Sequence, residues 1–437
     1  MFSGLGKLAN RGMEGDLYHT EARSKTVSFE GGVLRQCEIE DSEGFGLRVI
    51  NGDRKLGFVA FNSPSLFDEM LEKACSVSKF GDRVAYSLPS YPVLKTWDSF
   101  VDRRVVDMGF AEMIEIGNYV VERIREEYPE VVLNLSVKAG IEGKELINHH
   151  QERLFFERTF FGVEAEVNLT RESDILGFSV ERFWGNRDID LDLFINEILF
   201  RLEFSQREFK IKSGAYPVLF TSEGLLVLLY PLFYALNGRN IAFNRSFLRD
   251  KLGKLVFSPL LSLVETPYEA WTLGSCPFDD EGITTVRERE LIVTGEVKSA
   301  FWDLFSAFLE GVEPSGNGFR QSYRALPYPE LSCIKIKGGL RNQETLIEEL
   351  ERGLIVDSVL GLGQSNISSG HFSCNLNLGF YVEDGEIKGR VKNVMISGNA
   401  FEALKNIQEV SRDSRWIYGR WFLPWMVVEP IRVDAKN

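Results

Sequence analysis

Three consecutive acidic residues, Asp279, Asp280 and Glu281, are the densest group of side chains in the sequence that could do chemistry. Neighbouring carboxylates repel one another, so they must be solvated, paired with arginine, or raised in pKa. One interpretation is an acidic turn. The other is a functional site, because apolar sequence on both sides suggests a loop held by a rigid scaffold. A third hypothesis makes Asp280 and Glu281 the acid/base pair of a hydrolase.

Metal ligands are scarce in the sequence. No two histidines stand at the i, i+4 spacing that turns two imidazoles toward one metal on a helix. The five cysteines are spread singly without a CxxC pair, which argues against a disulfide framework or a cysteine zinc cluster. We therefore predict that this chain alone binds no zinc. The four histidines are His19, His149, His150 and His371.

Aspartates at 188, 190 and 192 also resemble a metal-ligand spacing. They immediately precede an apolar-periodic helix predicted over 191–204, so helix capping is the preferred interpretation.

Charge and length exclude several classes of protein. The 437 residues include 64 acidic and 50 basic ones, a formal charge of −14, and no run of lysine and arginine, so direct binding to nucleic acid is not expected. The unbroken apolar run 225–236 is too short to span a membrane. The first residues show no signal peptide, which predicts a cytoplasmic location.

The element that organises the chain is the stretch 216–238, read as a strand followed by a helix. Thr221 and Ser222 are candidate N-caps, Glu223 falls in the first turn of the helix, and Gly238 is a candidate stop. No charged residue occurs over 225–236, so the helix should be buried on all sides.

Around this element the sequence predicts an α+β fold. Two small N-terminal units, each a sheet with a helix, occupy 1–95 and 96–207, and a larger antiparallel β domain built on the buried helix occupies 208–437. The first boundary is placed in the connection 81–97, which contains proline and serine. Over 372–380 apolar and polar residues alternate, so one strand face is core, while the other, headed by His371, lines a cavity or meets water.

Arg48 completes the set of candidate contacts. It stands among apolar neighbours, either as a strand residue facing solvent or as a buried guanidinium that clamps a carboxylate. We assign no catalytic residue and no metal ligand. The candidate substrate or partner contacts are Arg48, Glu223, Asp279, Asp280, Glu281 and His371.

Four segments together resemble the TldD/PmbA family, in the expected order over nearly the whole chain: GFGLRVI (44–50), GAYPVLFTSEGLLVLLYPLFYALNG (214–238), GSCPFDDEGITT (274–285) and the segment 368–399. The family has been labelled a modulator of DNA gyrase, and its TldD and TldE (PmbA) types are regarded as the two subunits of a cytoplasmic metalloprotease. In the TldD type, an HExxxH motif and a cysteine near the C-terminus hold zinc, with the glutamate as general base.

This sequence departs from that motif. It has SEGLLV at 222–227, which keeps Glu223 and lacks both histidines, and no cysteine follows Cys374. Without two imidazoles and a thiolate, nothing would lower the pKa of a bound water. The resemblance is therefore to the TldE/PmbA-type subunit, with zinc expected in a TldD-type partner.

The resemblance implies a heterodimer that acts on unfolded or flexible peptides. This chain would form part of the chamber wall and a sheet edge to which a peptide adds as a strand. The resemblance does not decide whether this chain has enzymatic activity of its own. The alternative is a homodimeric, non-catalytic binding or adaptor protein of the gyrase-modulator kind.

Overall fold

A computed structural model describes residues 2–91, 100–171, 174–362 and 366–436. The helices in these ranges are α1 Gly6–Asn10, α2 Phe67–Ser78, α3 Arg103–Val106, α4 Phe110–Glu127, α5 Leu191–Phe204, α6 Leu226–Leu236, α7 Gly238–Ala242, α8 Leu304–Glu310, α9 Gln343–Glu348 and α10 Ala400–Ala403. The strands are β1 Glu14–Glu30, β2 Val33–Ile50, β3 Leu56–Phe61, β4 Val132–Asn148, β5 Arg153–Arg171, β6 Asp174–Trp184, β7 Gly214–Phe220, β8 Leu263–Glu265, β9 Arg289–Val293, β10 Glu296–Val297, β11 Gly318–Phe319, β12 Tyr328–Pro329, β13 Ile334–Ile336, β14 Arg352–Leu360, β15 His371–Glu383, β16 Glu386–Arg390, β17 Val394–Asn399, β18 Ile407–Ile417 and β19 Trp421–Ala435. The predicted α+β class is confirmed.

The first sheet is built from long antiparallel strands. In the described ranges it has six strands in the order β3-β2-β1-β4-β5-β6. Because β1 pairs with both β2 and β4, the two predicted N-terminal units contribute strands to the same sheet. The predicted boundary at 95 lies outside the described residues, and the division of the chain at 95 and 207 stays a prediction.

The two faces of this sheet pack against different parts of the chain. Successive residues of a strand point to opposite faces. Leu17, Val27 and Phe29 of β1 belong to the cores that α2 and α4 cover. Asp16 and Tyr18 therefore point to the opposite face, which meets loops of the C-terminal half.

One edge of β2 is left open. β3 pairs only with residues 45–50 of β2, so among the described strands none lies beside residues 33–43 on that side. These eleven residues are exposed, Val33, Leu34 and Ile39 included. They form the outer arm of the β1–β2 hairpin, whose other arm, β1, pairs with β4.

The second sheet shares a hydrophobic core with the central helix, α6. In the described residues it has eleven strands, and β7 pairs with both β14 and β19, which closes the path through β15 and β17. Most pairs are antiparallel, as predicted. The pairs β7–β14 and β13–β19 are parallel, because long stretches of intervening chain allow a crossover to return in the same direction.

Most of helix α6 is buried, with its apolar side chains in the core of the second sheet. Tyr230, Phe233 and Tyr234 are only half-buried, so the predicted burial on all sides is correct only in part. The helix begins at Leu226, because a turn over 221–225 precedes it, in which the Thr221 hydroxyl accepts the backbone N–H of Gly224.

Helix α6 ends at Leu236 with Asn237 as its C-cap, directly before Gly238, as predicted. Gly238 is not a left-handed stop, however: the extended Asn237 also caps α7, which begins at Gly238 and packs against Trp302.

Two local predictions are confirmed. The Asp190 carboxylate accepts the backbone N–H of Leu193 and caps α5, while Asp188 pairs with Arg104. On β15, Phe372 and Cys374 are buried and Ser373 and Asn375 are exposed, which is the predicted alternation. Among the described residues, every helix is too short or too polar to cross a membrane.

Candidate functional site

The acidic turn (residues 279–282) lies in the loop between β8 and β9 and is buried, not solvated. The Asp279 carboxylate accepts three backbone N–H groups, from Glu281 at 3.0 Å, Ile283 at 2.9 Å and Gly318 at 2.8 Å. Gly282 follows with φ +84, a conformation that glycine adopts without strain. Asp279 therefore fixes the shape of the turn.

Arg48 is a buried clamp, which is the second of its two predicted interpretations. Its Nε donates to Asp16 Oδ1 at 3.0 Å, and its Nη1 donates to Glu281 Oε1 at 3.0 Å. The other oxygen of Glu281 accepts the backbone N–H of Leu304 at 2.7 Å. All three charged side chains are at most 2% exposed. Through Arg48 the first sheet is thus ion-paired to the acidic turn.

Asp280 makes a second link between the same two parts. Lys144 on β4 donates to Asp280 Oδ1 at 2.7 Å, and the other oxygen accepts the backbone N–H of Arg320 at 2.8 Å. Burial alone would lower the pKa of Lys144, but the charge of Asp280 and its hydrogen bond, together with the neighbouring Cys276 and Tyr18, raise the pKa. Asp280 lines a cavity between the first sheet and the C-terminal loops.

The acid/base hypothesis for this turn finds little support. Burial raises the pKa of Asp279 well above its usual range, and the charge of Glu281 adds to that rise. Burial also raises the pKa of Glu281, although Arg48 opposes it. Such shifts accompany catalytic carboxylates, but structural ion pairs produce them too. Both oxygens of Glu281 and of Asp280 already accept hydrogen bonds, so the geometry fits a structural joint.

Glu223 belongs to a second ionic group, here called the Glu197 cluster. Glu197 of α5 pairs with Arg201 one turn later at 2.5 Å, with Arg415 of β18 at 2.7 Å, and with Arg182 of β6. Burial alone would raise the pKa of Glu197, but the charges of Arg415, Arg201 and Arg182 lower it to about 2. The members are Glu197, Arg182, Arg201, Arg415, Glu223 and Asp357.

Within this cluster Glu223 is held by arginine. It pairs with Arg415, and Arg201 Nη2 lies 3.6 Å from the same carboxylate oxygen. Arg201 also forms a two-point pair with Asp357, at 3.0 Å for each bond. The Glu223 side chain is 22% exposed, so part of it reaches solvent.

Zinc does not fit at this turn. The neighbours of Glu223 are Ser222 and Gly224 along the chain and two guanidinium groups across it, which repel a cation and offer no lone pair. In the described ranges, three His, Cys, Asp or Glu side chains close enough to share an ion are found in one group: His19, Glu21 and Glu43, on the first sheet. His19 and Glu43 already pair at 3.0 Å.

His371 stands apart from both ionic groups. It is exposed at the start of β15, where it pairs with Asn399 of β17, and its Nδ1 lies 3.1 Å from the Ser369 hydroxyl. The six candidate residues thus fall in three places: Arg48 with residues 279–281, Glu223 in the Glu197 cluster, and His371 on the surface. Their role as substrate or partner contacts stays a prediction.

Seven participants were not predicted from the sequence: Asp16, Lys144, Arg182, Glu197, Arg201, Asp357 and Arg415. Glu197 and Arg201 carry a signal, because they are oppositely charged, stand at i, i+4 spacing and lie in a largely apolar helix. The other five are single charges on strands, and their partners lie on other elements.

Gly282→Ala should lower the free energy of unfolding by about 2 kcal/mol or more. A Cβ here would lie 2.1 Å from the Tyr91 ring, and φ is +84. Chemical denaturation followed by circular dichroism measures the change. Gly253→Ala is the matched control, because its φ is +75 and nothing lies within 4 Å. Equal costs for the two variants would show that contact with Tyr91 does not constrain the turn.

Known protein families match segments in both halves of the chain. Residues 213–435 match the family model described as the PmbA/TldA metallopeptidase C-terminal domain, and residues 15–78 match PmbA/TldA metallopeptidase domain 1. A metalloprotease TldD homolog of Buchnera aphidicola is 24% identical over 444 residues, covering 94% of this chain and 88% of the relative. A metalloprotease PmbA homolog of Haemophilus influenzae is 31% identical over 204 residues, covering 47% of this chain and 43% of the relative.

Solved structures share the whole fold. TldE from Thermococcus kodakarensis matches with a TM-score of 0.88 at 22% identity, over 97% of each chain. A Thermotoga maritima protein that carries the name modulator of a DNA gyrase matches with a TM-score of 0.84 at 25% identity, over 98% of each chain. The first likeness, at this identity, establishes the fold alone.

Proposed function

Because the chain belongs to the TldD/PmbA metallopeptidase family, we propose that it is the non-metal-binding, TldE/PmbA-like subunit of a two-component peptidase. Its partner is a TldD-type homologue that carries HExxxH and zinc. The observation that carries the proposal is the environment of Glu223. The family's metal-binding motif would begin at this turn, and here Arg415 and Arg201 flank the glutamate.

A subunit of this kind contributes shape and main-chain hydrogen bonds instead of a metal. A peptide that adds as a strand to an open sheet edge is held by backbone groups, with little preference for sequence. The open edge of β2, residues 33–43, is one such surface among the described strands. Unfolded or flexible peptides suit it because a folded chain has already paired its backbone groups.

We propose a cytoplasmic site of action. Cys37, Cys75, Cys276 and Cys333 are free thiols, and the last three of them are buried. Unpaired thiols are typical of proteins in a reducing compartment.

The test is reconstitution with a TldD-type homologue from the same genome. The full chain, the homologue, and an equimolar mixture are each incubated with a flexible peptide, with and without a chelator. We expect cleavage in the mixture that the chelator abolishes, little or none with either protein alone, and a 1:1 complex by light scattering. Metal analysis of each protein before mixing should find zinc in the homologue only.

Two outcomes contradict the proposal. Stoichiometric zinc and peptide cleavage by the chain alone would make it a self-sufficient enzyme. A stable symmetric homodimer that neither binds the homologue nor changes its activity would favour the adaptor alternative.

A further inference from the structure

The open edge of β2 carries an excess of negative charge. Between residues 33 and 43 the strand has four carboxylates, and Arg35 is its one cation. Arg35 pairs with Glu30 at 3.5 Å, next to the turn of the hairpin. The four carboxylates all lie in the other half of the edge, which continues into the part of β2 that β3 covers. They are Glu38, Glu40, Asp41 and Glu43.

Beside this edge, a trough of ≈ 440 Å³ crosses one face of the first sheet. Its centre is a row of four residues that lie directly opposite one another on β2, β1, β4 and β5. In that order they are Glu43, Glu21, Gly143 and Glu157. Because Gly143 has no side chain, the row leaves a gap between Glu21 and Glu157. The trough is open to solvent, and the Glu43 side chain is 42% exposed at the end that adjoins the edge.

The carboxylates of this row have few cations near them. Glu21 and Glu43 come within 4.8 Å of each other, and like charges directly opposite on a sheet repel. His19 Nε2 lies 3.0 Å from Glu43 Oε1, but among the described residues no cation is within ion-pairing distance of Glu21 or Glu157. The lining contains four carboxylates and one guanidinium, that of Arg23, which is a net charge of −3.

We propose that the open edge of β2 binds extended peptides that carry lysine or arginine at alternate positions. This binding rests on the proposed function, in which the edge holds a peptide, and it adds the chemical class of that peptide. A strand added beside β2 continues both faces of the sheet, so every second side chain lies on the face of the trough. There it stands beside Asp41 and Glu43, and a side chain as long as lysine extends toward Glu21. On the other face the added strand meets Glu38 and Glu40.

The same charges argue against a second copy of this edge as the occupant. Two such edges would bring like charges together in one sheet, which is destabilising. Main-chain hydrogen bonds give affinity for any extended strand, and the carboxylates select among strands by charge. The whole chain has a formal charge of −14, which attracts a basic peptide even without a specific site, so a control of equal net charge is required.

Fluorescence anisotropy with labelled peptides tests the proposal on the full chain alone, without homologue or zinc, at low ionic strength. The probe is about ten residues long, blocked at both ends, with lysine at every second position and threonine between. We expect it to bind roughly tenfold or more tightly than a peptide with glutamine for lysine, and a glutamate peptide to bind more weakly still. A peptide with proline for threonine keeps the charge but lacks those N–H donors, so it should lose most of the affinity.

Two triple variants with the same change in net charge assign the preference to the trough. Replacing the three glutamates of the row by glutamine should reduce the preference for lysine over glutamine peptides to about twofold or less. These substitutions are Glu21→Gln, Glu43→Gln and Glu157→Gln. The control replaces three exposed glutamates of the C-terminal half and should bind like the unmodified chain. Its substitutions are Glu288→Gln, Glu313→Gln and Glu348→Gln.

Three results overturn the proposal: equal binding of lysine and glutamine peptides, full binding of the proline peptide, or an equal effect of the two triple variants. Its failure is distinct from a failure of the proposed function. Charge-selective binding by a chain whose mixture with the homologue does not cleave contradicts the proposed function and leaves the peptide site standing. Cleavage by the mixture, together with equal binding of lysine and glutamine peptides, overturns the peptide site alone.

Discussion

Arg48→Met should lower the free energy of unfolding by about 3–5 kcal/mol, one of the two largest effects expected in this protein. The substitution leaves Asp16 and Glu281 buried without their shared cation. An unpaired charge in such a place costs more than the intact pair contributes, because the carboxylate has lost its water as well as its partner. Urea unfolding followed by circular dichroism measures the loss.

Arg23→Met is the control for this substitution. Arg23 is an exposed arginine on β1 that pairs with Asp41 at 3.4 Å, so its loss should cost about 1 kcal/mol or less. Neutralising both acids in the Arg48→Met background, with Asp16→Asn and Glu281→Gln, should recover part of the stability. A change below about 1 kcal/mol for Arg48→Met alone would contradict the clamp.

Glu197→Gln should produce the second large effect, and that effect should depend on pH. At pH 7 we expect a loss of about 3–5 kcal/mol, because three arginines lose their common carboxylate. The pKa of Glu197 is lowered in the folded protein to about 2 from 4.5. Its contribution is therefore complete above pH 4.5 and disappears as the pH falls toward 2, a change of about 3 kcal/mol.

The measurement is the difference in unfolding free energy between the unmodified chain and Glu197→Gln, from pH 7 down to the lowest pH at which both fold. The difference should shrink below pH 4.5. Glu386→Gln is the control: this carboxylate is exposed and pairs with Lys388, so the substitution should change stability little at any pH. A difference that stays constant with pH would show that Glu197 is not the titrating group.

Local sequence patterns were enough for the elements and several of their details. The charge-free stretch 225–236 predicted a buried helix, the alternation over 372–380 predicted a half-buried strand, and Asp190 before an apolar-periodic helix predicted its cap. Each of these depends on neighbours within a few residues, so the information is present in the sequence itself.

The contacts of the candidate site could not be predicted in this way. A buried guanidinium clamp was one of the two interpretations of Arg48. However, Glu281, one of the two carboxylates it binds, is 233 residues away, and no local pattern identifies that partner. The pairing of β1 with β4 and the parallel pairing of β7 with β14 also join segments that are remote in sequence, so no local pattern predicts them. The end of α6 before Gly238 was predicted correctly, but the sequence pattern did not show that an extended Asn237 caps a further helix from Gly238 onward.

The Glu197 cluster has a consequence for how such chains can change over many generations. A zinc site at residues 222–227 requires new imidazoles and a thiolate, and it also requires Arg201 and Arg415 to leave. Removing Arg201 first leaves the buried Asp357 without its guanidinium partner, and removing Glu197 first leaves Arg182 without an ion-pair partner among the described residues. Stepwise replacement toward a metal-binding form is therefore expected to pass through destabilised intermediates. In this way the cluster opposes the gradual gain of a zinc site at this turn.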